Sequence, residues 1–130
     1  MWNPDPPKVE EDGEELHEPG YEEREFSDGF YKGIVVDGLR EGQGVQTFSN
    51  GDVYEGSWET DCMSGRGVML YANGAQYDGQ WSMGKRSGEG KMDWAEGVEG
   101  NPMYALVQYE GSWVDNTLQG KARRVSERNE

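Results

Sequence analysis

The chain has 130 residues, an apolar fraction of only 33% and 20 glycines, so a conventional three-dimensional core is not expected. Its formal net charge of −14 argues against nucleic acid as the main ligand, because phosphate binding depends on Lys and Arg that neutralise backbone charge. A single cysteine excludes an intramolecular disulfide framework, and a chain with only one cysteine and one histidine has little scope for a zinc site. No cofactor or metal is therefore expected.

Residues 1–20 form an acidic arm that contains four prolines. Such a composition cannot bury enough surface to offset the entropy of ordering, so the arm alone is expected to be disordered or extended. It lacks the apolar stretch of a signal peptide, and no run approaches the ~20 apolar residues that span a bilayer, which predicts a cytoplasmic protein. The arm either only keeps the chain soluble or orders on a partner, with Trp2 as an anchor.

The rest of the chain repeats itself. Full copies begin at Tyr31, Tyr54 and Tyr77, 23 residues apart, and a fourth copy begins at Tyr109 after nine additional residues. A period of this length is typical of repeat architectures in which each unit packs on its neighbours. The predicted β domain spans residues 21–122, with a half repeat at 21–30, repeats at 31–53, 54–76 and 77–108, an insertion at 95–108 and a partial repeat at 109–122; a basic tail follows at 123–130.

Each copy alternates with a period of two residues. In the segment YEGSW, Tyr54, Gly56 and Trp58 share one face of a predicted strand, and a second strand follows in GRGVMLY. Glycines inside strands are unfavourable unless something requires them. We expect Gly56 and Gly67 to leave bare backbone on which aromatic rings of adjacent strands lie.

Two kinds of connection join the strands. Asn50-Gly51 and Asn73-Gly74 lie between alternating segments and predict type I′ hairpin turns. The other connections, at residues 59–64 and 82–87, are predicted to be polar loops of about six residues. Together these features predict an antiparallel meander.

The spacing Tyr-x-Gly-x-Trp, followed by Gly-x-Gly, an aromatic residue and a turn glycine, resembles the MORN (membrane occupation and recognition nexus) repeat. The second copy matches at Tyr54, Gly56, Trp58, Gly65, Gly67, Tyr71 and Gly74. The first copy departs from the pattern with Val35 in the place of Trp. The resemblance implies an all-β fold, an elongated, twisted antiparallel meander of stacked MORN β-hairpins.

The resemblance also implies a non-catalytic scaffold or adaptor that binds other proteins in a large assembly. Assemblies with such subunits include ciliary and flagellar axonemes, for example radial spokes, and other cytoskeletal complexes. The alternative is a tether to membranes or phospholipids, against which the net charge of −14 argues. Open edge strands would also allow self-association.

The candidate protein-binding residues fall in four places. The rings of the sheet, which form either a core or a docking face, are Tyr54, Trp58, Tyr77, Trp81, Tyr109 and Trp113. The insertion, with Met103, Tyr104 and Leu106, either packs on the sheet or docks a partner. Trp2 belongs to the arm. Arg123 and Arg124 of the tail are either solvated or contact an acidic partner, such as a tubulin surface, or another copy of the chain.

Catalytic signatures are weak. Residues 79–85 (GQWSMGK) match the first seven positions of a phosphate-binding P-loop, but Arg86 stands where Ser or Thr must hold magnesium. His17 and Cys62 are far apart in sequence and have no third partner for nucleophilic catalysis. The sequence therefore predicts a protein that is not an enzyme.

Overall fold

The computed structural model describes residues 8–9, 15–16, 18–96 and 105–127, with the side chains of residues 18–93 and 108–119. In this part of the chain the fold is all-β, as predicted. Lys8–Val9 (β1) and Glu15–Leu16 (β2) pair with each other in a small separate sheet. The large sheet contains Tyr21–Phe26 (β3), Gly29–Val36 (β4), Leu39–Phe48 (β5), Val53–Glu59 (β6), Cys62–Leu70 (β7), Gln76–Ser82 (β8), Lys85–Glu96 (β9), Ala105–Val114 (β10) and Thr117–Glu127 (β11).

The nine strands of the large sheet are arranged in chain order from β3 to β11, and each pairs antiparallel with the next. This arrangement confirms the predicted meander. The described sheet is open, with β3 at one edge and β11 at the other. Within the described residues, no helix is long and apolar enough to cross a bilayer.

The core is a continuous row of rings on one face of this single sheet. Three tyrosines are fully buried and three tryptophans are 4–5% exposed. Successive rings meet edge to face at centroid distances of 5.1–5.8 Å, an arrangement that aromatic pairs favour. This ring ladder runs in the order Phe26, Tyr31, Trp58, Tyr54, Trp81, Tyr77 and Trp113.

Glycines provide the surface on which the ring ladder lies. Gly67 pairs with Gly56 on one side and with Gly79 on the other. A Cβ atom on Gly67 would overlap the ring of Tyr54, and one on Gly56 would lie 2.5 Å from the Cα of Gly67. The contact predicted between rings and bare backbone is therefore present, and the repeated glycines are required by close approach.

The predicted six-residue loops at 59–64 and 82–87 are wrong. β6 ends at Glu59 and β7 begins at Cys62, so only Thr60 and Asp61 form the turn. Both residues have positive φ, 47° and 68°, and this combination defines the type I′ turns that match the twist of a tight hairpin. The same geometry recurs at Asp37-Gly38, Met83-Gly84 and Asp115-Asn116.

The type I′ turns predicted at Asn50-Gly51 and Asn73-Gly74 are also wrong. Four residues separate Phe48 from Val53, and Gly51 has a φ of 98° while Asn50 is not among the residues with positive φ. In this four-residue loop only the glycine adopts the left-handed conformation. The role of Asn50 is different, because its Oδ1 accepts a hydrogen bond from the Asp52 N–H at 2.9 Å. The Asn-Gly pairs thus form longer turns in which the asparagine side chain replaces a backbone partner.

The third copy differs where the nine additional residues lie. β9 and β10 continue to pair as far as Glu96 and Ala105, so residues 95–96 and 105–108 of the predicted insertion lengthen this hairpin. Met103 and Tyr104 lie outside the described residues.

Thr60→Asn is expected to stabilise the protein. Thr60 is exposed and β-branched, yet its φ is 47°, a conformation that Asn adopts more readily than Thr. The expected gain is about 0.5–1 kcal/mol in the free energy of unfolding, measurable by urea denaturation. Ser82→Asn, in a strand beside the equivalent turn, is the control and should give no gain.

Candidate protein-binding surfaces

The structure places most predicted ring contacts inside the sheet's own core. Tyr54 and Tyr77 are fully buried, and Trp58, Trp81 and Trp113 are at most 5% exposed. In the described chain these five side chains therefore form part of the core and not an exposed docking face. Tyr109 is half-buried. Contact of these rings with a partner stays a prediction.

The remaining candidates are placed less completely. Trp2 lies outside the described residues. Leu106 lies on β10, and Arg123 and Arg124 lie on the edge strand β11, but the described side chains do not include these three. Their backbone positions nevertheless matter, because β11 is one of the two strands at which the described sheet ends.

Sequence reasoning missed a buried arginine at the start of the ladder. Arg40 is 5% exposed, and its guanidinium lies between the rings of Phe26 and Trp58, 4.6 Å from each centroid. Its Nε donates to Asp61 Oδ1 at 2.7 Å, and its Nη1 donates to Asp28 Oδ1 at 3.0 Å. The guanidinium of Arg40, in the first repeat, thus connects Asp28 of the half repeat with Asp61 in the tight turn of the second repeat.

Electrostatics follow from this geometry. Burial by itself would lower the pKa of Arg40, but the hydrogen bond to Asp61 and the charge of Asp28 outweigh it and raise the pKa. The hydrogen bond from Arg40 holds the pKa of Asp61 below its usual range. The guanidinium is therefore a fixed cation that two carboxylates neutralise.

The third repeat has a similar arginine with incomplete partners. Arg86 lies over the ring of Trp113 at 5.0 Å, and its backbone N–H donates to Asn116 Oδ1 at 2.9 Å. Its Nε is buried without a hydrogen-bond partner among the described residues. Asn116 occupies the second position of its turn, as Asp61 does in the second repeat. At Arg40, the Asp61 oxygen accepts from both the backbone N–H and Nε.

Asn116→Asp is accordingly expected to stabilise the protein by about 1 kcal/mol, because a carboxylate can accept from the buried Nε of Arg86 and neutralise its charge. Asn116 has a φ of 70° and Asp61 one of 68°, so the backbone tolerates Asp. Urea denaturation measures the change. Asp115→Asn is the control beside it, and an equal gain there would mean that turn propensity, and not Arg86, is responsible.

The hydroxyls of the buried tyrosines are all used in the same way. Tyr31, Tyr54 and Tyr77 donate to the backbone carbonyl three residues further on, at 2.9–3.0 Å. Burial raises the pKa of Tyr77 to about 12, and it raises the pKa of Tyr31 and Tyr54 as well. In the folded ladder each hydroxyl therefore stays protonated to a higher pH than an exposed tyrosine does.

Alkaline pH is expected to unfold the sheet. The folded pKa values of Tyr31, Tyr54 and Tyr77 lie above the ordinary value of 10.0, so their contribution to stability is complete below pH 10 and is lost as the pH rises towards the folded values. Tyrosinate absorbance and circular dichroism should therefore change together. Gradual tyrosine ionisation with retained β signal would contradict this expectation.

The exposed apolar side chains collect at the tight turns. Among the side chains that the structure describes, six large hydrophobic ones are exposed, and four of these flank or form a type I′ turn. This set, the turn row, consists of Val36 (50% exposed), Leu39 (37%), Met83 (80%) and Val114 (53%). All these turns lie along the same side of the sheet, because they connect alternate pairs of strands in a meander.

The segment that resembles a P-loop is not one. Residues 79–85 cover the end of β8, the Met83-Gly84 turn and the first residue of β9. A phosphate-binding loop needs a following helix, which this segment lacks. Among the described residues, no cluster of three His, Cys, Asp or Glu side chains could hold a metal ion. Cys62 begins β7 as a free thiol, and His17 lies outside the described residues.

Comparison with known proteins agrees with the repeat geometry. A sequence model of the MORN repeat matches residues 31–53, 54–76, 77–99 and 109–127, more than half of the chain. A search of curated proteins gave no significant match. MORN repeats are a non-catalytic repeat module and generally bind proteins or membranes. The chain belongs to the MORN repeat family.

Proposed function

We propose that this protein is a non-catalytic adaptor of a large assembly and that it binds another protein through the turn row. The observation that carries the proposal is the distribution of apolar surface. The large rings are used in the core, whereas Val36, Leu39, Met83 and Val114 are 37–80% exposed along one side of the sheet. Val36 and Leu39 lie at the first tight turn, and Met83 and Val114 lie at the third and fourth, so the exposed apolar side chains form two groups on this side. Grouped exposed apolar side chains are typical of protein interaction sites, unlike single scattered ones.

The turn row is held in a fixed geometry. The Asp61 N–H donates to the Arg40 carbonyl at 2.9 Å, and the Gly84 N–H donates to the Met63 carbonyl at 3.0 Å. The Asn116 N–H donates to the Arg86 carbonyl at 3.0 Å. Three of the four tight turns are thus hydrogen-bonded to the preceding repeat. A surface that is already ordered loses little entropy on binding, which favours its use as a docking site.

The charge of the turns indicates what kind of partner fits. Asp37, Asp61 and Asp115 lie within the type I′ turns, and Lys85 follows one of them. Asp37 therefore lies next to Val36 and Asp115 next to Val114, whereas the charged residue near Met83 is Lys85. A segment with apolar residues flanked by Lys or Arg would complement this side of the sheet.

The assembly proposed is a ciliary or flagellar axoneme, with a radial-spoke-like role, or another cytoskeletal complex in the cytoplasm. Support for this placement is the resemblance to MORN proteins of such structures, which is an argument by analogy. Proximity labelling in ciliated cells tests it, with the full chain and a variant lacking residues 1–20. Labelling of axonemal proteins is expected, and loss of some partners from the truncated chain would assign the arm a binding role.

The binding site is tested with Met83→Asp/Val114→Asp. These side chains are 80% and 53% exposed, so the variant should keep the melting temperature but lose the co-purifying partners. Leu70→Asp is the matched control, because Leu70 is an exposed apolar residue away from the tight turns and should keep them. Retention of every partner by the double variant would contradict the proposal.

Membrane binding is the competing function. Flotation with vesicles that contain anionic lipid, at physiological salt, separates the two functions. The net charge of −14 argues against binding to these anionic vesicles. Robust flotation that Met83→Asp/Val114→Asp leaves unchanged would replace the adaptor proposal with a membrane tether.

A further inference from the structure

The two edges of the described sheet carry opposite charge. β3 contains Glu22, Glu23 and Glu25 with a single Arg24, whereas β11 contains Lys121, Arg123 and Arg124 with a single Glu127. Both strands pair on one side only within the described residues. An edge strand of this kind presents backbone donors and acceptors to another strand.

We propose that copies of this chain join end to end, with β3 of one copy pairing along β11 of the next. The inference deepens the proposed scaffold function by naming a second copy of the chain as one partner. It concerns the edges of the sheet and not the turn row, so the two proposals can fail separately.

Charge selects this pairing over its symmetric alternatives. Pairing of two β3 strands would bring together the acidic residues Glu22, Glu23 and Glu25 of both copies. Pairing of two β11 strands would bring together the basic residues Lys121, Arg123 and Arg124 of both copies. Like charges opposite each other on neighbouring strands are destabilising, and opposite charges are stabilising. Only the pairing of β3 with β11 brings opposite charges together.

The register of the sheet supports a specific contact. One cross-strand row of Cα partners begins at Glu23 and ends at Arg123, and passes through Lys32, Val45, Glu55, Val68, Asp78, Lys91 and Glu110. A second copy that continues this row places its Arg123 beside Glu23. In the neighbouring row, Arg24 would lie level with Arg124, but Arg24 is already paired with Glu22 at 3.3 Å.

Strand direction fixes the geometry further. Consecutive strands alternate in direction, so β3 and β11 run the same way in the described sheet. A copy that keeps the ring ladder on the same face therefore adds β11 parallel to β3. Such a head-to-tail contact leaves another free edge at each end and can continue into a filament or close into a ring.

The test uses the purified full chain and sedimentation velocity at low and high salt. At low salt the average mass is expected to rise with protein concentration, and at high salt it should fall back to that of the monomer. A mass that stays monomeric at every concentration, or a dimer that does not grow, would overturn the proposal. A mass that is insensitive to salt would do so as well.

Two charge variants make the test specific. Glu23→Lys/Glu25→Lys gives a chain with two basic edges, and Arg123→Glu/Arg124→Glu gives a chain with two acidic edges. Each variant places a like charge opposite Lys32 or Glu110, so its circular dichroism melt should fall slightly while the β signal is retained. Each variant alone should remain monomeric, and an equimolar mixture should associate again. Association of either variant alone, or no association of the mixture, would refute the pairing.

Discussion

Gly67→Ala is expected to destabilise the protein by about 3 kcal/mol, near the top of the range for overpacked cores, which corresponds to a fall in melting temperature of roughly 10–20 °C. The added methyl group would overlap the ring of Tyr54. That ring cannot withdraw, because its hydroxyl donates to the Ser57 carbonyl at 2.9 Å and it lies between Trp58 and Trp81. Thermal unfolding followed by circular dichroism measures the effect.

Gly74→Ala is the matched control. Gly74 has a φ of 93° with nothing within 4 Å of an added Cβ, so Ala there is strained only through its backbone and should cost about 1 kcal/mol. A double-mutant cycle then identifies the cause. In a Tyr54→Leu background, Gly67→Ala should cost much less, because the end of the ring is gone. Strictly additive costs would contradict the assignment of the overlap to Tyr54.

The ring–glycine contact was predictable from sequence for a physical reason. Tyr54, Gly56 and Trp58 recur at a fixed spacing, and glycine is unfavourable inside a strand unless something needs its space. The repeat therefore contained both the ring and the space for it. The same periodicity predicted the order of the strands, because a meander is the simplest path for successive hairpins.

The turns were not predictable by the same rules. Asn-Gly is a strong hairpin signal, but it gives no loop length, and the loop at Asn50-Gly51 has four residues. Thr60 and Met83 have φ values of 47° and 51°, which neither residue type favours. Packing of the strands on both sides overrides the local preference there, and local sequence does not contain that information.

The candidate binding surface was only partly predictable. Alternation places Tyr54 and Trp58 on one face but cannot decide whether a single-layer sheet buries that face. The ring ladder leaves Tyr54 with no exposed surface, because each ring covers its neighbour. The buried arginines were missed because their repeat position holds arginine in only two of the four copies. Arg40 and Arg86 both stand nine residues after the first Tyr of a repeat, where the other two repeats have Met63 and Leu118.

This comparison among repeats predicts the behaviour of the buried arginine. Arg40→Met is expected to destabilise the protein by about 2–3 kcal/mol, because Gln46, which is fully buried, loses the guanidinium that donates to its Oε1 at 2.9 Å. This expected loss of stability is smaller than the ~3–5 kcal/mol typical of a broken buried ion pair. The reason is that the side chains of Asp28 and Asp61 are 42% and 35% exposed, so water can hydrate them once the guanidinium is gone.

Arg40→Met/Gln46→Met should recover most of that loss. The second repeat has Met63 and Met69 at the equivalent positions, and Met69 is 5% exposed in the same core. Replacing both members of a buried polar pair with apolar side chains of similar volume is often neutral. Urea denaturation of the two variants at neutral pH gives the comparison, and a double variant no more stable than Arg40→Met would mean that the first repeat cannot accommodate an apolar pair.

Acid provides an independent measurement on the same residues. Arg40 holds the pKa of Asp61 below its ordinary value of 3.8, so this stabilising contribution is complete above that value and is lost as the pH falls through the folded pKa. The wild-type protein should therefore lose more stability between pH ~5 and pH ~2 than Arg40→Met/Gln46→Met, which lacks the guanidinium. An identical acid dependence would show that the ion pair contributes nothing to the stability of the sheet, and that Arg40 acts through its packing between Phe26 and Trp58.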